Sequence, residues 1–159
     1  MTDLSFRPAT DADLPAIVAL LADDELGVQR EDASRPLNQN YLDAFAAIDA
    51  DPNQLLAVVE RRGELVGCLQ LTFIPGLSRL GMWRGQIESV RIAASQRGAG
   101  LGREMFAWAI EACRNRGCGL LQLTTDKNRR DACHFYESLG FTASHEGMKL
   151  SLVSNPARC

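Results

Sequence analysis

Three glycines, Gly98, Gly100 and Gly102, alternate with Ala99 and Leu101 where the strand-like run IESVRIAA hands over to a helical pattern. Glycine is costly to order, so bare backbone at such a junction points to a need for main-chain N–H groups. The chemistry this suits is the holding of an anion at a helix N-terminus. Two common phosphate motifs fail the test. The P-loop pattern GxxxxGK[ST] needs a lysine after its last glycine, where Arg103 and Glu104 stand. The dinucleotide pattern GxGxxG needs a further glycine where Met105 stands. Nucleotide hydrolysis and hydride transfer thereby lose their main support.

The elements that must position this loop are legible in the hydrophobic periodicity. A strand over Leu4 to Arg7 is followed by a helix that Thr10 or Asp11 can cap, with Leu14, Ile17, Val18 and Leu21 at helical spacing. Residues 23–40 are polar and acidic and read as a loop or lid. Tyr41, Phe45 and Ile48 mark a second helix ending near Asp51-Pro52. Leu55 to Glu60 and Leu65 to Ile74 read as strands joined by a hairpin through Arg62-Gly63. After a turn-rich loop over Pro75 to Gly85 comes a strand over Gln86 to Ile92, and then the glycines. The next helix carries Met105, Phe106, Ala109, Ile110 and Cys113 on one face and ends at Gly117. Leu120 to Thr125 reads as a strand, and Ala132, Phe135, Tyr136 and Leu139 sit at i, i+3, i+4 and i+7 of a helix before Gly140. The final FTASHEGMKLSLV alternates as one or two closing strands. Strands and helices in this order predict an α/β sheet of mixed direction.

At Arg97-Gly98-Ala99-Gly100-Leu101-Gly102 the chain reads RxxGxG, and here it resembles the GNAT family of N-acetyltransferases. FRPATDAD looks like the family's first strand and turn, GELVGCLQL like its third strand, IESVRIAASQRGAGLG like its fourth strand and loop, and DACHFYESLGF like its signature near the C-terminus. The resemblance covers nearly the whole chain. It implies an α/β GNAT fold over residues 1–159 as a single domain, with a mixed, mostly antiparallel sheet of six to seven strands flanked by about four helices. It implies acetyl-CoA as cosubstrate, its pyrophosphate wrapped by the N–H groups of the glycine loop. About four such donors, each worth roughly 1.5–3 kcal/mol to a charged acceptor, account for much of the anchoring. By the same resemblance the cofactor contacts are Val90, Arg91, Ile92, Arg97, Gly98, Ala99, Gly100, Leu101, Gly102, Arg103, Asn128 and Phe135.

Acetyl transfer from a thioester to an amine needs a neutral nucleophile, a polarised carbonyl and a protonated leaving thiolate. A lysine-like amine of pKa about 10.4 is mostly protonated at pH 7, and freeing it costs roughly 4–5 kcal/mol. The resemblance implies Glu88 as a base acting through water and Tyr136 as the acid for the departing sulfur. The rival readings are a solvent-facing strand residue for Glu88 and pure packing for Tyr136. Asn128 lies four residues before Ala132 where three is usual in the family. The acceptor is expected to be a small-molecule amine, bound by residues 23–41 and 75–85, with Trp83 in the second segment as a lining residue and Trp108 in a helix as packing. WRGQIESVRI followed by NRRDACHFYESLGF is also similar to aminoalkylphosphonate acetyltransferases, for which Arg79, Arg84, Arg129 and Arg130 would meet the phosphonate. A protein or peptide acceptor and a non-catalytic acyl-CoA-binding domain are the other readings.

Composition narrows the field. A formal charge of −3 without a run of Lys or Arg beyond pairs gives nucleic acid no footprint. No apolar run approaches the roughly 20 residues of a membrane span, and the acidic N-terminus is unlike a signal peptide. No membrane association and a cytoplasmic location are the expectation. The five cysteines, Cys68, Cys113, Cys118, Cys133 and Cys159, form no CxxC pair and read as idle thiols. His134 and His145 have no metal-ligand spacing, so no metal is expected. Homodimers are frequent in the family, and a homodimer is compatible with the sequence although no interface is marked.

Overall fold

The computed structural model describes residues 3–153. Its chain order is β1 (Leu4–Pro8), η1 (Asp11–Asp13), α1 (Leu14–Ala22), α2 (Gly27–Arg30), α3 (Gln39–Ala50), β2 (Gln54–Arg61), β3 (Glu64–Ile74), α4 (Ser78–Gly81), β4 (Trp83–Ile92), η2 (Ala94–Gln96), α5 (Leu101–Asn115), β5 (Cys118–Gln122) and α6 (Arg130–Ser138). The chain divides into two compact units, residues 1–123 and 124–159, and each is described by itself.

In the first unit the five strands lie in the order β1-β2-β3-β4-β5. Neighbours run antiparallel through β4, and β5 joins β4 in parallel. A parallel neighbour needs a crossover, and α5 supplies it. One face of the sheet is a closed apolar layer. Leu69, Leu71, Phe73 and Ile87 are buried on it, as are Leu101, Met105, Phe106, Ala109 and Cys113 of α5. A Cβ on Gly85 would stand 2.5 Å from Cys113 Sγ, so only glycine lets the helix approach this closely. Trp108 stacks on Phe6, with centroids 5.0 Å apart and planes 8° from parallel, in agreement with its expected packing role.

On the other face, α1 and α3 cover part of the sheet. Leu14, Ile17 and Phe45 pack with Val58 and Cys68 in one buried cluster. Burial pushes the Cys68 thiol up to about 12 and the Cys113 thiol up to about 11. Neither is a thiolate at neutral pH, which agrees with idle thiols.

Arg7 of β1 anchors the first turn. Its Nη1 and Nη2 donate to Asp13 Oδ2 and Oδ1 at 2.7 and 2.9 Å, and Nη2 also donates to Glu60 Oε1 at 2.6 Å. Asp13 in turn accepts from Thr10 N at 2.8 Å, closing a capping box. The Arg7 hydrogen bonds, foremost, hold the Asp13 carboxyl down at about 2, below the usual 3.8. A depressed carboxyl stabilises the fold above its unfolded pKa, and that contribution is lost as pH falls from about 4 through about 2. The urea midpoint of the wild type therefore falls more steeply over that window than that of Asp13→Asn. Parallel slopes would show that the pair contributes nothing.

Several expectations need correction. Among the described residues the sheet has five strands and not six to seven. Residues 142–153 alternate as a strand pattern but pair with no strand among the described residues, and alternation without a hydrogen-bonded neighbour is not a strand. The described residues form six helices and not about four, because single turns form at α2 in the expected lid and at α4 in the expected loop. The α4 turn holds Arg79 and Leu80 at φ of 54° and 59°, a left-handed conformation that periodicity does not reveal. β4 starts at Trp83, so Trp83 is a strand residue paired with Cys118 and not part of a loop. No helix among the described residues is long and apolar enough to cross a membrane.

Candidate active site

β4 carries most of the expected site, and two features of its backbone shape it. The first is a bulge. Cys68 pairs with Arg91 and Gln70 with Glu88, so Leu69 of β3 faces both Ser89 and Val90. Ser89 takes up the extra residue with φ of 54°, the left-handed region that a non-glycine rarely enters. Strict alternation would put Glu88 and Arg91 on opposite faces. The bulge brings both onto the face that carries Cys68 and Gln70.

The second feature is an open edge. β4 pairs with β5 only from Trp83 to Gln86, so residues 87–92 have no partner strand on that side among the described residues. Ala93 N donates to Val66 O at 2.8 Å, which turns the backbone groups of Arg91 and Ala93 towards β3 and those of Val90 and Ile92 outward. An extended ligand backbone with amides could pair there as a further strand would. The outward carbonyls are met by the chain's own arginines: Arg91 Nη1 donates to Val90 O at 3.0 Å and Arg97 Nε to Ile92 O at 3.2 Å.

The glycine loop follows η2. Gly98 and Gly100 have φ of 79° and 81°, and Gly100 is the residue that opens α5. A left-handed backbone at these positions is why glycine is required. The N–H groups of Gly98, Ala99 and Gly100 donate to no acceptor among the described residues. With the first turn of α5, in which Leu101, Gly102 and Arg103 lie, they make a concentration of donors at the positive end of a 15-residue helix. Arg97 is more engaged than its motif suggests. Its Nη2 donates to Asp23 O and Asp23 Oδ2, both at 3.2 Å, and so ties the loop to the end of α1. Arg91 pairs similarly with Asp24, its Nε 3.6 Å from Asp24 Oδ2. The acids at 23 and 24 are thus partnered and do not form a free anionic lid.

Glu88 is exposed, and its carboxylate makes no hydrogen bond or ion pair among the described residues. Tyr136 belongs to the second unit, on α6, where its ring meets Phe135 at 5.6 Å and Phe141 at 6.2 Å. Asn128 lies in the turn before α6, its N–H donating to Asp126 Oδ1 at 2.9 Å. Thus Glu88, Val90, Arg91, Ile92 and the 97–103 loop share the first unit, and Asn128, Phe135 and Tyr136 share the second. His134 and His145 are exposed, the latter with Nδ1 2.7 Å from Ser144 Oγ.

The glycine loop stands at a helix N-terminus, where the sequence motif implied it, and the open β4 edge runs into it. The pattern of the Acetyltransferase (GNAT) family matches residues 15–141. This chain belongs to the GNAT family. It is 33% identical over 142 residues to an aminoalkylphosphonate N-acetyltransferase of Salmonella typhimurium, covering 87% of this chain and 85% of that protein. To a glucosamine 6-phosphate N-acetyltransferase of Trypanosoma brucei brucei it is 37% identical over 90 residues, 57% of this chain and 59% of that one. Among solved structures, one described as a transcriptional regulator from Bacillus halodurans superposes with a TM-score of 0.90 at 49% identity, covering 94% of this chain and 99% of that one. As a GNAT protein the chain is an acetyltransferase, with acetyl-CoA as cosubstrate.

Two features of the site escaped the sequence. The Ser89 bulge leaves no mark, because serine is not a residue that signals positive φ. The second is a set of glutamines around Glu88. Spaced by two along β4, Arg84, Gln86 and Glu88 make a polar face opposite Gly85 and Ile87, and that alternation was the available signal.

Proposed function

We propose that the protein transfers acetyl from acetyl-CoA to the primary amine of a small molecule by direct attack in a ternary complex. The observation that carries this is the unpaired carboxylate of Glu88 on β4, beside a bulge and an open strand edge that leads into the glycine loop. Val90 and Ile92 would hold the pantetheine amides, and the N–H groups of residues 98–103 the pyrophosphate. Glu88, through water, takes a proton from the ammonium. The freed nitrogen attacks the thioester carbon, the C–N bond forms and the C–S bond breaks. The thiolate takes its proton from Tyr136, the nitrogen gives up its surplus proton to solvent to leave the neutral amide, and the tyrosinate regains a proton from solvent. Arg97 helps to hold the loop, with Arg103 on the first turn of α5 and Asn128 and Phe135 on the second unit as further cofactor contacts.

Both named relatives act on amines that carry a phosphorus acid, and Arg84, exposed on the Glu88 face, is the cation we assign to such a group. The charge of −3 offers little to a phosphodiester backbone, so the transferase reading is preferred to the regulatory one that the Bacillus halodurans neighbour's description suggests.

The test is incubation with acetyl-CoA and a panel of amines that includes 2-aminoethylphosphonate, with the products read by mass spectrometry. The expected result is an acetylated amine. Binding of acetyl-CoA without any product would move the acceptor to a macromolecule or leave a binding domain. The loop assignment has its own test in Gly100→Val. A β-branched side chain in the left-handed region costs about 1–2 kcal/mol and stands where phosphate oxygens would approach. Coenzyme A affinity, measured by calorimetry, is expected to fall tenfold or more with the circular dichroism spectrum unchanged. An unchanged affinity would place the pyrophosphate elsewhere.

A further inference from the structure

Strand register places four polar side chains in one row across the face that carries Glu88. Gln54 pairs with Thr72, Thr72 with Gln86, and Gln86 with Gln122, so the row crosses β2, β3, β4 and β5. One step along, Gln70 pairs with Glu88. All five uncharged residues are half-buried, next to the covered part of the face where Cys68 is fully buried. Half-buried positions on a sheet favour β-branched and aromatic side chains, and an amide there carries a desolvation cost unless it is hydrogen-bonded.

The amides are bonded to one another, but only in part. Gln54 Oε1 accepts from Gln70 Nε2 at 3.0 Å and from Thr72 Oγ1 at 2.9 Å, and Gln86 Oε1 accepts from Gln122 Nε2 at 2.7 Å. Gln54 Nε2 and Gln86 Nε2 remain as donors, and Gln70 Oε1 and Gln122 Oε1 as acceptors, without partners among the described residues. Each pair locks the other's rotamers, so a ligand that meets these groups does not bear the ordering cost of free glutamine side chains. Along β4 the row is flanked on one side of Gln86 by the Glu88 carboxylate and on the other by Arg84. Arg84 lies four residues, or about 13 Å of strand, from Glu88.

We infer that this amide row is the floor of the acceptor site, and that it selects amines whose carbon skeleton carries hydroxyl or amide groups near the nitrogen. The inference rests on the transferase reading above and names its substrate class. Uncharged donors and acceptors held in a fixed pattern discriminate by hydrogen bonding. An acceptor without oxygens leaves them unpaired, which is the condition under which sites reject an apolar analogue most strongly. Gln86 and Gln122 are specificity-determining residues and take no part in proton transfer.

The experiment compares glucosamine with cyclohexylamine, ring amines that differ in their oxygens, as acceptors for wild type, Gln86→Met and Gln122→Met. Methionine keeps the length of the side chain and removes its hydrogen bonds. The expected result is a wild-type kcat/KM at least about 100-fold higher for glucosamine. Either variant raises the glucosamine KM tenfold or more and narrows the preference over cyclohexylamine, whose kcat/KM rises as the unpaired amides are removed, with the acetyl-CoA KM as the control that the cofactor site is intact. Turnover with the same preference in the variants overturns the inference and leaves the transferase reading standing. If the wild type acetylates neither amine, the inference is decided by titrating glucosamine into 15N-glutamine-labelled wild type in the presence of coenzyme A. Shifts of the Gln86 and Gln122 side-chain amides support it, and their absence overturns it. That titration also decides the matter if a methionine variant does not fold.

Discussion

Glu88→Gln is expected to lower kcat/KM for the amine by about 10²–10⁴-fold at pH 7. The substitution keeps the side chain's size and polarity and removes only its capacity to hold a proton. Glu88 is exposed, paired with Gln70 across β4 and β3 and otherwise without a partner, so the fold loses no ion pair with it. The effect is therefore expected in kcat/KM for the amine, with coenzyme A affinity and thermal midpoint unchanged. Without the base the enzyme must wait for amine already neutral in solution. The variant's rate should climb with pH towards the amine's own pKa of about 10.4, where it approaches wild type. A variant with the wild-type profile would return Glu88 to the role of a solvent-facing strand residue.

Tyr136→Phe carries the second large effect, a fall in kcat of about 10²-fold or more with little change in either KM. A departing thiolate is stable enough to leave unaided near its ordinary pKa of about 8.5, so protonation assists the step without being indispensable. An acyl donor with a more acidic thiol should for that reason recover part of the lost rate in the variant. The substitution removes one hydroxyl and keeps the ring that meets Phe135 and Phe141, so α6 is expected to hold its packing. Wild-type turnover in the variant would assign the proton to water. Glu88→Gln and Tyr136→Phe also separate by donor: the more acidic thiol recovers rate in the second and not in the first.

The sequence determined more about this protein's cofactor than about its acceptor. Gly98, Gly100 and Gly102 predicted a donor-rich turn at a helix N-terminus, and the φ values of Gly98 and Gly100 and the start of α5 follow that prediction. Such a turn is a local matter of backbone angles, which residue type alone constrains. The apolar spacing of α1, α3 and α5 and of β2 and β3 was equally legible, because a period of 3.6 or 2 is written within each element. The turns at Gly27–Arg30 and Ser78–Gly81 were not, since one turn is too short to display a period. The expected closing strands do not form among the described residues for a related reason: Met148, Leu150 and Leu152 alternate as a strand does, but pairing is a property of two segments and alternation of one.

What only the tertiary structure decided is the composition of the Glu88 face. Gln54, Thr72, Gln86 and Gln122 are scattered over nearly 70 positions of the chain, and nothing in their own neighbourhoods marks them as a group. Strand register aligns them, and register is set by the packing of the opposite, apolar face against α5. The bulge at Ser89 then decides which residues share that face with Glu88, turning Arg91 to its side through a single left-handed residue. Asp23 and Asp24, in the segment that reads from its composition as a polar, acidic loop or lid, are paired with Arg97 and Arg91. Local chemistry could be read from the chain, but partners separated by 60 or 70 residues meet only when the sheet has closed around its core.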